Sequence, residues 1–288
     1  MLTETFIHVP GIGAAGERKL WEKGTSDWWK ATAHVHGLFA APADGPLEKT
    51  LRECLKELRE GRLEMTASLL DSNDHWRALC FRQKGEVRPL RWLALDIETT
   101  GLAPEDDAVT CIGLCGHATD FAPVALVAGE AGWARPLVPY LLATDILITF
   151  NGRSFDVPFI ARSLRQLAPI FPPFHLDLYP HLKKLDVRGG LKKIQRRLGF
   201  VREGALDEVD GYAAVRLWRE HQQGTPGARE TLVRYCLEDV VVLFDLAVWG
   251  YEQAAVRLGR DWRCWQPPAV SLQGLPYDAA LIRKLRGR

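Results

Sequence analysis

Three short stretches of the chain hold side chains that could do chemistry together. Asp96-Ile97-Glu98 ends an apolar run, RWLALDIET, whose composition suits a buried strand. Side chains alternate along a strand, so Asp96 and Glu98 project from one face, where two carboxylates repel unless a cation lies between them. Asp156 stands in ITFNGRSFDVPFI, where a strand gives way to a loop and then a helix. Tyr235 and Asp239 are four residues apart in RETLVRYCLEDVVVLFDLA, and so share one face of a helix.

Taken singly, each has an ordinary explanation. A strand end can carry a turn-capping acid. Ser154 or Asp156 could cap the following helix, and Asn151 could be a turn residue. Asp239 could pair with Tyr235 in the core, or face solvent beside Glu238. Taken together, four carboxylates offer oxygen-only ligands, the donor set that suits Mg²⁺ or Mn²⁺ and leaves room for water and phosphate. Two such ions about 4 Å apart can activate a water and steady the leaving oxygen of a phosphodiester. Tyr235 would then orient that water or hold the phosphate.

The elements needed to position these groups are legible in outline. Strands are expected at 91–99, 108–115, 121–128, 145–150 and 174–178. Helices are expected at 129–142, 155–167, 191–198, 207–221 and 228–258, with Gly259 stopping the last. Strands followed by strand–helix alternation predict an α/β fold, a mixed sheet with helices on its faces. Residues 1–86 read as a small helical region, in which Leu47, Leu51, Leu55 and Leu58 mark an amphipathic helix ending at Gly61. Residues 83–89 read as a linker or turn, 87–260 as the main domain, and 261–288 as a C-terminal tail.

Composition sets outer bounds. The chain has 288 residues, 47% hydrophobic and 25% charged, with a formal net charge of +1. That balance is ordinary for a globular protein, so a nucleic-acid partner must be recognised by local patches rather than bulk charge. No apolar run reaches the roughly 18 residues of a membrane span, and the N-terminus lacks a signal-like core. The six cysteines lack zinc-site spacing and read as small buried hydrophobes. A reducing, cytoplasmic setting fits.

At the acidic positions the sequence resembles the DEDD exonucleases, in the subgroup with tyrosine in the third motif. The motifs are Asp-x-Glu (Asp96, Glu98, then Thr99), Asn followed by Phe-Asp (Asn151, Phe155, Asp156), and Tyr-x-x-x-Asp (Tyr235, Asp239). The phrase TFNGRSFDVPFI is similar to the exonuclease domains of B-family DNA polymerases. The layout looks more like the stand-alone YprB-type ribonuclease H-like proteins. The resemblance covers about residues 90–255. It implies a ribonuclease H-like mixed five-stranded sheet flanked by helices. It also implies two-metal 3′–5′ hydrolysis of single-stranded or frayed DNA or RNA to nucleoside 5′-monophosphates. Asp96, Glu98, Asp156 and Asp239 would hold the ions. Tyr235 would orient water, and Thr99, Asn151 and Phe155 would meet the terminal nucleotide.

Other signals are weaker. Lys192, Lys193, Arg196 and Arg197 belong to a basic run, 183–202, that could track a phosphate backbone, with Leu191, Ile194 and Leu198 turned inward. The glycines of VPGIGAAG formally match a dinucleotide loop. Pro10 interrupts the short run before them and no ribose-binding acid follows, so a glycine turn in a small helical cap, or half of a helix–hairpin–helix, fits better. Two rival functions remain: a weakly active or inactive nucleic-acid-binding module, and an endonuclease of the same fold.

Overall fold

The computed structural model describes residues 1–33, 44–129, 131–167, 170–200 and 212–286. After a 3₁₀ turn at Leu2–Glu4 come α1 (Ala14–Glu22), α2 (Trp28–Ala33), α3 (Asp44–Glu60) and α4 (Glu64–Leu69), then a 3₁₀ segment, Ser72–Leu79. A hairpin follows, β1 (Cys80–Gln83) and β2 (Glu86–Pro89). The stretch expected to be a linker is thus mostly strand. Lys84 and Gly85 both take positive φ, 52° and 86°, which makes the two-residue turn.

The main sheet is built from β3 (Trp92–Thr99), β4 (Val109–Gly116), β5 (Val124–Val127), β6 (Ile146–Thr149) and β7 (Phe174–Asp177). α5 (Leu137–Leu142) precedes β6, and α6 (Asp156–Ser163) follows it. α7 (Leu178–Lys184), α8 (Leu191–Leu198), α9 (Ala213–Gln222), α10 (Ala228–Arg257) and α11 (Ala279–Arg286) complete the order. The helix expected from 129 begins only at Leu137, just after Pro136. Of the helix expected at 207–221, residues 207–211 lie outside the described residues.

Strand order is β5-β4-β3-β6-β7. β3 pairs antiparallel with β4 and parallel with β6, so the five-stranded sheet is mixed, as expected. Alternation along β3 decides what lies where. Leu93, Leu95 and Ile97 enter the core packed by α5 and α6. Trp92 and Ala94 enter the core on the opposite face, with Val240, Leu243 and Ala247 of α10. Asp96 and Glu98 continue that second face, so they project under α10.

Close approach of α10 to the sheet depends on Gly113, which pairs with Asp96 in the β3–β4 register. A Cβ there would lie 2.7 Å from Val240 Cγ2 and 2.8 Å from Cys236 Sγ. With 30 residues, α10 is about 45 Å long. Its far end reaches the N-terminal helices, where the Tyr251 ring meets Trp76 edge-on, centroids 5.6 Å apart.

Buried charge organises the N-terminal region and ties it to the segment after α10. Glu17 accepts from Arg77 Nη1 at 2.9 Å, from Thr5 Oγ1 and from the Phe6 amide. Glu4 accepts from Arg82, Arg260 and Trp262 Nε1. Among the described residues no helix is long and apolar enough to cross a membrane.

Candidate active site

β6 pairs with β3 only over Trp92–Ala94. Beyond that point β3 runs on past the end of its neighbour and carries Asp96 and Glu98; Asp156 and Asp239 are not part of the close ligand group there. Carboxylate oxygens of Asp96 and Glu98 lie within 4.8 Å of each other and of Cys236 Sγ on α10. The Cys236 thiol donates to the Asp96 carbonyl at 3.8 Å. A hydrogen bond with Cys111, burial, and the charges of Glu98 and Asp96 push that thiol well above its usual range, so it stays neutral.

Asp156 is the first residue of α6. The cap residue is Phe155, and no side chain caps the helix, which removes the capping explanation for Ser154 and Asp156. The Asp156 side chain is 2% exposed, and its Oδ1 has no hydrogen-bond partner among the described residues. Burial, with the Asp177 charge adding to it, pushes this carboxyl up to about 7. The amides of Asp156 and Ile97 pull the other way. Ile97 sits between Asp96 and Glu98, so Asp156 reaches the same end of β3.

Asp177 organises the approach to Asp156. Its carboxylate accepts from the amides of Asn151 (2.7 Å), Arg153 (3.1 Å) and Tyr179 (3.1 Å), fixing the loop after β6 and starting α7 at once. Asn151 takes the left-handed conformation, φ 66°. Gly152 is needed because a Cβ there would collide with the Thr149 side chain. Arg153 Nη1 donates to Ser72 Oγ at 3.1 Å and its Nη2 to the His175 carbonyl at 2.6 Å, fastening this loop to the N-terminal helices.

On α10, Tyr235 and Asp239 are 4% and 7% exposed. The solvent-facing explanation for Asp239 therefore fails. Its neighbour Glu238 turns elsewhere, pairing with Arg234 at 2.8 Å. Arg234 also donates to the carbonyls of Leu272 and Leu275, tying the C-terminal segment to α10. Lys192 Nζ lies 4.4 Å from the Tyr235 ring centroid, a cation–π distance.

The other expected contact residues scatter more. Thr99 is buried, its hydroxyl turned to the Gly101 carbonyl in the turn after β3. Phe155 is half-buried, its ring 4.7 Å from that of Phe159. Lys193, Arg196 and Arg197 are exposed, while Ile194 is buried, as the inward stripe required. Three residues of consequence were not anticipated. A glycine in the middle of an apolar strand signals close backbone approach, which would have found Gly113. Asp177, an acid ending a strand before a helix, and Cys236 gave no distinctive pattern.

Solved structures that the chain is similar to include the family B DNA polymerase from the hyperthermophilic archaeon Pyrobaculum calidifontis. Identity is 19%, the TM-score is 0.46, and the match covers 60% of this chain and 25% of that chain. The chain thus spans about a quarter of that polymerase. No curated protein matches the sequence. Residues 93–251, more than half of the chain, match the family model of the RNase H superfamily. They run from the second residue of β3 to near the end of α10, and so take in nearly all of the five-stranded sheet together with Asp96, Glu98, Asp156, Asp177 and Asp239; the chain belongs to the RNase H superfamily.

Proposed function

We propose that the chain is a metal-dependent nuclease, specifically a 3′–5′ exonuclease of the tyrosine-containing DEDD kind acting on single-stranded or frayed ends. One observation carries the reading. A buried carboxylate, Asp156, has an oxygen lacking any partner among the described residues and feels the backbone of Ile97, the residue between Asp96 and Glu98. Burying such a group is costly unless something offsets its charge, and a divalent cation would.

The donor set fits hard cations. Asp96, Glu98, Asp156 and Asp239 would hold two Mg²⁺ or Mn²⁺ ions. When bound, these would supply an activated water and charge stabilisation at the scissile phosphate. The rest falls to the chain itself. Tyr235 would orient the attacking water, with Lys192 against its ring limiting how far the phenol swings. Asn151, held by Asp177, would meet the terminal nucleotide together with Phe155 and Thr99. Lys193, Arg196 and Arg197, exposed on α8, would follow the strand's phosphates. Residues 87–260 would form the catalytic unit.

The test is a set of 5′-labelled DNA and RNA oligonucleotides incubated with Mn²⁺, with Mg²⁺, or with chelator. A metal-dependent ladder shortening from the 3′ end is expected, and Asp96→Ala should abolish it. A circular single strand should survive. Cleavage of the circle would mean an endonuclease, and binding without cleavage a retired site.

A further inference from the structure

A second concavity lies apart from the acidic site, between α2, α3 and the turn of the β1–β2 hairpin. Its volume is about 450 Å³, within the range of small-ligand sites and large enough for one nucleotide. Leu55 and Leu58 of α3 provide apolar lining. Trp29, also on the lining, is 39% exposed although its neighbour Trp28 is fully buried. Lys30, Arg59 and Lys84 bring positive charge, and so does Arg82, which Glu4 already engages. The acid among the lining residues, Asp27, is occupied at the start of α2, where it accepts from the Lys30 amide and the Ser26 hydroxyl.

We propose that this pocket seats one nucleotide of single-stranded nucleic acid and gives the substrate strand a second anchoring point; the ligand's identity rests on the nuclease reading above. An aromatic face beside several cations complements a base joined to a phosphate. Every base has a flat π surface for Trp29, and the phosphate meets Lys30, Arg59 or Lys84. An acidic peptide would satisfy the cations but leave the tryptophan face and leucine floor without a planar partner.

The experiment measures binding by fluorescence anisotropy in chelator and hydrolysis in Mn²⁺. It compares a tetranucleotide with a strand of about twenty nucleotides, long enough to engage a second site. The proteins are the parent, Trp29→Ala and Lys84→Gly. The glycine variant removes a cation while easing a left-handed turn position, so it should fold at least as well as the parent. In Trp29→Ala the long strand should bind about tenfold more weakly. In Lys84→Gly the salt dependence of its binding should fall by about one counterion. Hydrolysis of the tetranucleotide should not change in either. If the parent binds the long strand and both variants match it, the pocket does not hold nucleic acid and the nuclease reading stands. If the parent neither binds nor cleaves any oligonucleotide, both readings fall. Poly-glutamate binding as tightly, and losing affinity in the same variants, would overturn the nucleotide assignment.

Discussion

Replacing Asp156 with asparagine changes one buried carboxyl into an amide of nearly the same shape, and its effect can be worked from the structure. The side chain's ordinary value of 3.8 rises to about 7 on folding. The folded chain therefore holds this proton more tightly than the unfolded one. The carboxyl's contribution to stability is fully present below about pH 4 and is lost as pH rises through 7. At pH 8 the ionised group costs the metal-free protein about 4 kcal/mol. Asparagine removes that cost but leaves an amide poorly satisfied, which returns about 1–2 kcal/mol. The net gain of about 2–3 kcal/mol should raise the melting temperature of the metal-free variant by about 3–5 °C at pH 8. Towards pH 4 the ionisation cost vanishes while the amide penalty stays, so the variant should become about 1 kcal/mol less stable than the parent. Adding Mn²⁺ should reverse the order, because the cation stabilises only the protein that binds it, by about 4.1 kcal/mol at a thousandfold excess over Kd. Thermal melts across this pH range, with chelator and with Mn²⁺, decide the matter. Equal melting temperatures for parent and variant at pH 8 in chelator would refute the reasoning.

Other consequences follow from the same geometry. Gly113→Val should push α10 away from β3, costing about 1–3 kcal/mol in a denaturant melt and abolishing nuclease activity, since Tyr235 and Asp239 ride on that helix. Tyr235→Phe should lower kcat on the order of tenfold to a hundredfold while KM stays within about twofold, because only the water's orientation is lost. Asp177→Ala should free the Asn151 loop and raise KM on short oligonucleotides, with α7 less protected in hydrogen exchange.

What could be read in advance, and what could not, follows from how far each signal extends along the chain. The strand β3 announced itself, since an apolar run ending in Asp-x-Glu is a local pattern. The placing of Tyr235 with Asp239 was equally local, a matter of helix spacing. The hairpin β1–β2 was missed because QKGEVRP carries strong turn residues and too few alternating apolar ones. Asp177 could not be singled out, because its task is to receive the amides of Asn151 and Arg153, and those contacts exist only after β6 and β7 pair. Cys236 reads as one more core residue until α10 crosses Gly113 and brings its sulfur beside Asp96 and Glu98. The basic run 183–202 was visible as charge, yet only the packing of α8 sets Lys192 over the Tyr235 ring while Lys193 and Arg196 face solvent.

The most direct measurement is an anomalous difference map from crystals grown with Mn²⁺ and a nucleoside 5′-monophosphate. Two peaks about 4 Å apart, ligated by Asp96, Glu98, Asp156 and Asp239, are the predicted result. A map with no peak near Asp156, or with manganese bound only at other carboxylates, would contradict the account.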